Sequence, residues 1–128
     1  MDELLERADI ISVHVPYNEN THELLDERAF HKMKRGVIFV NTSRGKVVKE
    51  EMLIKYLEKK HIGGAVLDVY KNEPKVPPKL RRMSNVILTP HLGGGTKPGR
   101  LACYEMAVAN VMAVLNGNTP LNPVNGPL

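Results

Sequence analysis

The sequence predicts an α/β fold: a parallel sheet with crossover helices, wound so that helices cover both faces. Two observations carry this expectation. Four short runs, Ile10–Val15, Val37–Val40, Ala65–Val69 and Val86–Leu88, are rich in valine and isoleucine and do not alternate strictly with polar residues. That is how strands buried on both faces read. Between the first three runs lie segments with helical character. The order is therefore β-α-β-α-β, which demands parallel strands joined by crossovers.

Taken in order, the first run closes at Val15-Pro16. Asp26 is placed to cap a helix continuing through Met33, and Gly36 follows as its stop. The second run opens into the polar turn Asn41-Thr42-Ser43-Arg44-Gly45. Lys49 to Lys60 then sets Met52, Leu53, Tyr56 and Leu57 on one face and charges on the other, with Gly63 just past its end. After the third run, Asn72–Lys79 contains three prolines and cannot be a regular helix. It is expected as a loop, followed by one turn near Leu80–Met83. Beyond the fourth run, Gly93-Gly94-Gly95 breaks the chain. A longer helix begins near Thr96, with Leu101, Tyr104, Val108, Val111 and Leu115 as its expected buried stripe, and Gly117 ends it. Residues 118–128 are rich in proline and asparagine and are expected to be extended. The organisation is thus one domain over 1–117 and a tail over 118–128.

The 128 residues make one ordinary domain or a large piece of a bigger one. The composition, 42% hydrophobic and 25% charged, is that of a soluble globular chain. No apolar run approaches the ~20 residues of a membrane span, and no basic-then-apolar leader opens the sequence. A single cysteine, Cys103, forms no internal disulfide and fits a reducing compartment. A cytoplasmic protein without a membrane partner is expected. The net charge of +4 is spread among acids, with two phenylalanines and four tyrosines for stacking, so no nucleic acid partner is expected. The five histidines show no HxH or HxxxH spacing, so no metal is expected either. His22, His31 and His61 read as solvent-facing, His14 as a satisfied buried histidine, and Cys103 as a small helical residue without chemistry.

In an open α/β sheet, ligands bind outside the carboxyl ends of the strands. The first strand ends at Val15-Pro16, the second at Thr42-Ser43-Arg44, the third at Asp68 and on to Glu73, the fourth at Thr89-Pro90-His91. Parallel strands bring these ends to one rim, so an arginine, two carboxylates and a histidine converge. Each alone has an ordinary reading: a surface arginine, a turn-capping aspartate, a solvated glutamate, a histidine bonded to backbone. Together they have a sharper one. A histidine beside a carboxylate is held in one tautomer and exchanges a proton near neutral pH. A guanidinium grips a carboxylate or polarises a carbonyl. These are the parts needed to reduce a 2-keto acid, the hydride coming from a cofactor.

Several stretches carry a family likeness: "ADIISVHVPYNENTHELLDE" (8–27), "MKRGVIFVNTSRGKVVKEE" (33–51), "GGAVLDVYKNEP" (63–74), "NVILTPHLGGGT" (85–96) and "NPVN" (122–125). In that order they resemble the C-terminal part of the D-isomer-specific 2-hydroxyacid dehydrogenases. The resemblance implies the C-terminal half of a doubly wound, Rossmann-like sheet and an oxidoreductase acting between NAD, or NADP, and a small 2-hydroxy or 2-keto acid, with the full-length parent a homodimer. It implies that Arg44 binds the substrate carboxylate and keto group, that His91 is the general acid or base and Glu73 its partner, and that Asp68 holds the nicotinamide side of the cofactor. Val15, Thr42, Ser43 and the backbone after His91, Gly93 and Gly94, line the cofactor cleft with Arg44 and His91 themselves. Formate dehydrogenases of the same superfamily carry glutamine at the position of Glu73, so Glu73 favours a hydroxyacid. The GxGxxG turn and the ribose-binding acid are not in the sequence, so 1–117 reads as a partial dinucleotide-binding domain, with the tail returning toward a substrate domain. The chain by itself is expected to be inactive and to associate through the edge of its first strand. The alternatives are a truncated product without activity and a scaffold resembling the corepressors of the superfamily.

Overall fold

The structure, a computed structural model, describes residues 1–126. The last two residues of the expected tail, 127 and 128, lie outside the described residues. The chain divides into two compact units, Met1–Gly93 and Gly94–Leu128, each described by itself.

The first unit runs α1 (Asp2–Arg7), β1 (Ile10–Val13), α2 (Glu27–Lys32), β2 (Val37–Asn41), α3 (Glu50–Glu58), β3 (Ile62–Leu67), α4 (Pro78–Arg82) and β4 (Val86–Leu88). The four strands form one parallel sheet in the order β1-β2-β3-β4. All four expected strands are present, and their carboxyl ends share one rim.

The helices begin and end where local chemistry allows. Asp26 caps α2 by accepting the Ala29 N–H at 3.0 Å, and Gly36 turns the chain at φ +85. α3 buries Leu53, Ile54, Tyr56 and Leu57, each contributing roughly 1.5–3 kcal/mol by leaving water. Its end differs from the expectation. Lys60, at φ +53, makes the turn, and Gly63 already belongs to β3. A Cβ on Gly63 would stand 2.6 Å from the Gly36 carbonyl oxygen, so glycine serves a close strand approach there, not a helix stop.

The strands are not uniformly buried. β1 and β2 alternate, with Ile11, Val13, Val37, Phe39 and Asn41 inward. Ile11, Val13, Val37 and Phe39 join Leu5, Phe30, Leu53 and Leu57 from α1–α3 in one core, where the Phe30 ring meets Phe39 edge-on at 5.8 Å. On the opposite face Ile10 at 66% and Ile87 at 62% are exposed, while Val40 and Val66 are half-buried. The expectation of strands buried on both faces is corrected for this unit: its helical core covers one side of the sheet. α1 was not anticipated; its six residues bury only Leu5, too little periodicity to read.

In the second unit, α5 (Lys97–Leu115) is capped by Thr96 and closed by Gly117 at φ +75, as expected. The stripe of Leu101, Tyr104, Val108, Val111 and Leu115 is exposed, not buried, because the described residues of this unit include no other helix or strand to cover it. The segment after α5 turns back through Asn122, whose N–H donates to Asn110 Oδ1 at 3.0 Å. Cys103 is exposed on α5. No helix of the described residues is long and apolar enough to cross a membrane.

Candidate active site

The strand ends are drawn into one cleft by three loops. After β2, buried Asn41 shapes the polar turn. Its Oδ1 accepts the Ser43 N–H at 3.0 Å and the Ser43 hydroxyl at 3.1 Å, and its Nδ2 donates to the Arg44 carbonyl at 3.2 Å. Arg44 is left exposed, Nη1 donating to the Ser43 carbonyl at 2.7 Å. The chain continues as a 3₁₀ turn, Gly45–Val47. A Cβ on Gly45 would lie 2.0 Å from the Tyr70 carbonyl carbon, so only glycine permits this turn to press on the loop after β3.

That second loop is anchored by Tyr70. Its hydroxyl donates toward the Leu67 and Thr89 carbonyls at 3.1 and 2.8 Å, joining the ends of β3 and β4. Its N–H donates to Glu73 Oε1 at 3.0 Å. The Lys71 N–H donates to Glu50 Oε1 at 3.1 Å, whose carboxyl is pushed up by burial. Glu73 precedes a cis peptide to Pro74.

The third loop carries His91. Its N–H donates to the Asp68 carbonyl at 3.0 Å, and its backbone sits at φ +52, a left-handed conformation few side chains adopt. Asp68, 6% exposed, holds this loop down. Its Oδ1 accepts the Thr89 hydroxyl at 2.5 Å and the Leu92 N–H at 2.8 Å, and its Oδ2 accepts the Gly93 N–H at 2.9 Å. Burial by itself raises this carboxyl, but the three donors and the nearby His91 outweigh it and keep Asp68 below the ordinary carboxylate range.

Across the cleft wall, His91 Nδ1 and Glu73 Oε2 are 2.7 Å apart. A carboxylate only accepts, so Nδ1 carries the hydrogen and Nε2 is the free nitrogen. Burial raises Glu73, yet its bonds from His91 and the Tyr70 N–H and the charge of Arg44 hold its carboxyl low.

The cleft, of about 800 Å³, is lined by Val15, Thr42, Ser43, Arg44, Glu73 and His91 among the residues expected from the sequence. Asp68 and Gly93 are not on its wall; they lie beneath, fixing the His91 loop. Gly94 opens the second unit. Sequence reasoning missed Asn41, Gly45, Tyr70 and Lys46, and misjudged His14. That histidine is exposed, bonded through Nε2 to the Ser12 hydroxyl at 2.7 Å, and lines the cleft, because it lies past the last β1 residue. His22 and His31 are exposed as expected, whereas His61 is half-buried against the Met33 carbonyl at 2.8 Å. A polar residue ending an apolar strand, as Asn41 does, was the one readable signal among those missed.

A parallel sheet with its polar groups gathered at the strand carboxyl ends is an α/β domain with its cleft where such sheets bind their ligands. The chain belongs to the D-isomer specific 2-hydroxyacid dehydrogenase family, matching its NAD binding domain over residues 1–93. It is 42% identical over 127 residues to a glyoxylate reductase of Thermofilum pendens, covering 98% of this chain and 37% of that protein. In the holo form of Rhodotorula graminis D-mandelate dehydrogenase, a stretch 37% identical superposes with a TM-score of 0.95, covering 99% of this chain and 37% of that one. A D-isomer specific 2-hydroxyacid dehydrogenase from Xanthobacter autotrophicus, solved with NADPH and MES, is 34% identical with a TM-score of 0.83 over 97% of this chain and 51% of that one. The chain thus spans under two-fifths of the length of the curated relatives it matches.

Proposed function

We propose that this chain carries the acid–base and substrate-binding residues of an NAD(P)-dependent D-2-hydroxyacid dehydrogenase, interconverting a 2-keto acid and its D-2-hydroxy acid. The observation that carries the reading is the Glu73–His91 pair, 2.7 Å apart, on the same cleft wall as Arg44. Arg44 has one guanidinium nitrogen on a backbone carbonyl and offers the others to a substrate carboxylate and keto oxygen. His91, its Nδ1–H held by Glu73, passes a proton from Nε2 to the keto oxygen, or takes it back in oxidation. Ionised Glu73 fixes the ring and stabilises its charged form.

The donor set fits the nicotinamide end of NAD. Val15 gives an apolar wall and Thr42 and Ser43 give hydroxyls, while Asp68, off the cleft wall, supports that end of the cleft by holding the His91 loop through Thr89, Leu92 and Gly93. The cofactor supplies the hydride at C2. Strand-to-helix turns with a GxGxxG pattern, which cradle a pyrophosphate, are not in this sequence, so the residues present address the nicotinamide half.

The test is a chimera in which this chain replaces the matching segment of the Thermofilum pendens glyoxylate reductase. Arg44→Ala lowers kcat/KM about a hundredfold, the scale of about 3 kcal/mol for a lost charge-assisted contact. An unchanged kcat/KM toward 2-keto acids overturns the role of Arg44.

A further inference from the structure

The cleft that holds Arg44 contains two more side-chain cations, Lys46 and Lys71. Lys71 is neutralised: its Nζ lies 3.0 Å from Glu51 and 3.1 Å from Glu23. Glu73, the cleft's carboxylate, is engaged by His91 and the Tyr70 N–H. Lys46 is different. Among the described residues it has no carboxylate within ion-pair distance, and its Nζ stands 5.9 Å from the centre of the Tyr17 ring, a cation–π distance. Tyr17 also lines the cleft.

The backbone under Lys46 is fixed. It follows Arg44 in the turn Gly45–Val47, with Gly45 pressed on Tyr70 and Val47 fully buried. The Lys46 carbonyl accepts the Glu23 N–H at 2.9 Å. Arg44 and Lys46, neither of them in an ion pair among the described residues, therefore stand side by side at one short turn and line one cleft. A substrate with a single carboxylate satisfies Arg44 and leaves the second charge unmet.

We infer that the cleft selects a keto diacid: Arg44 receives the 2-keto carboxylate, and Lys46, steadied over Tyr17, receives a distal carboxylate. This rests on the reading of Arg44 given above, and it makes Lys46 a specificity-determining residue with no part in the proton transfer.

The test is an NMR-monitored titration of the chain with 2-oxoglutarate and with 2-oxopentanoate, acids of equal chain length that differ by the distal carboxylate. The diacid binds about twofold to fivefold more tightly at low ionic strength, the scale of one exposed ammonium meeting a carboxylate, and the preference shrinks as salt is added. Lys46→Gln brings the two affinities together while the monoacid is held as before, and Lys46→Arg keeps the preference. Equal affinities in the parent chain, or a preference that survives Lys46→Gln, overturn the inference. So does a Lys46→Gln chain that loses affinity for NADH and not for the diacid, since the second anion is then a cofactor phosphate. If neither keto acid moves the Arg44 resonances, the reading of Arg44 fails and takes this one with it; if both acids move them with the same affinity, only the role of Lys46 falls.

Discussion

Asp68→Asn tests how the His91 loop is held. The wild-type carboxylate accepts three donors, the Thr89 hydroxyl and the Leu92 and Gly93 amides, at 2.5, 2.8 and 2.9 Å. Asparagine keeps one oxygen. Placed toward Thr89 and Leu92, it retains two bonds in weaker, neutral form and turns its NH₂ against the Gly93 N–H. A bond to a charged acceptor is worth about 1.5–3 kcal/mol; losing one and weakening two costs about 3 kcal/mol. The pH dependence has a definite sign. A carboxyl held below its ordinary value contributes stability that is fully present above the unfolded pKa of about 4 and lost as pH falls through the folded one. The gap between wild type and variant is therefore widest near neutrality and closes in acid, below the ordinary carboxylate range. Urea denaturation of both chains across pH measures it, and amide exchange at Leu92 and Gly93 locates it. Equal urea midpoints at neutral pH, or a gap that persists in strong acid, refute the argument that Asp68 is the anchor.

Three further outcomes are expected. In the chimera, His91→Ala lowers kcat by about 10²–10⁴, the contribution of a positioned general acid, and leaves substrate binding at Arg44 measurable by titration; an unchanged kcat removes His91 from the proton transfer. Gly45→Ala places a methyl 2.0 Å from the Tyr70 backbone and costs about 3 kcal/mol in urea denaturation, where an ordinary Gly→Ala change at a free position gives none. The β1 edge is tested by sedimentation with Ile10→Lys, which puts a charge on an exposed position and reduces self-association; Ile11→Lys, which looks equivalent in sequence, buries its charge at a site 6% exposed and unfolds the chain instead.

That pair of isoleucines shows what the sequence could and could not yield. Ile10–Val13 was legible as a strand because β-branched residues cluster there, but which isoleucine faces the core depends on the register with β2, Ile10 opposite Ile38 and Ile11 opposite Phe39. Gly63 reads as the stop of a helix, and the third run reads as starting only at Ala65, because glycine has no strand preference. In the folded chain Gly63 and Gly64 are both in β3, where Cβ atoms would meet the Gly36 and Asn85 carbonyl oxygens, a demand set by neighbours distant in sequence. The α5 stripe was legible as a periodicity, but periodicity says only that a face is apolar. Arg44, Glu73 and His91 were legible by residue type and by their place after apolar runs. The groups that hold them were not: Tyr70 looks like one more apolar residue at a strand end, and only its hydroxyl bonds to Leu67 and Thr89 disclose its work.

The same division explains how a permanent charge can stand at the mouth of a buried strand. The buried polar side chains, Asn41 and Asp68, have their oxygens in bonds to turn amides and hydroxyls, so neither leaves an unsatisfied atom inside. Each converts a strand end into a fixed loop: Asn41 sets the turn that presents Arg44, and Asp68 sets the turn that presents His91 in a left-handed backbone. The groups proposed for the chemistry, Arg44, Glu73 and His91, are exposed or half-exposed, so none carries the cost of an unpaired charge in the core. Stability and chemistry are thus divided between neighbouring residues. Exchanging Asn41 for aspartate separates the two: the oxygen bonds to Ser43 survive, but the Nδ2–H bond to the Arg44 carbonyl becomes a clash of acceptors across 3.2 Å. The Arg44 turn loosens while the His91 loop stays seated. Amide exchange rising at Ser43 and Gly45 and unchanged at Leu92 and Gly93 is the expected result; exchange rising equally in both loops would mean that the two loops act as one body.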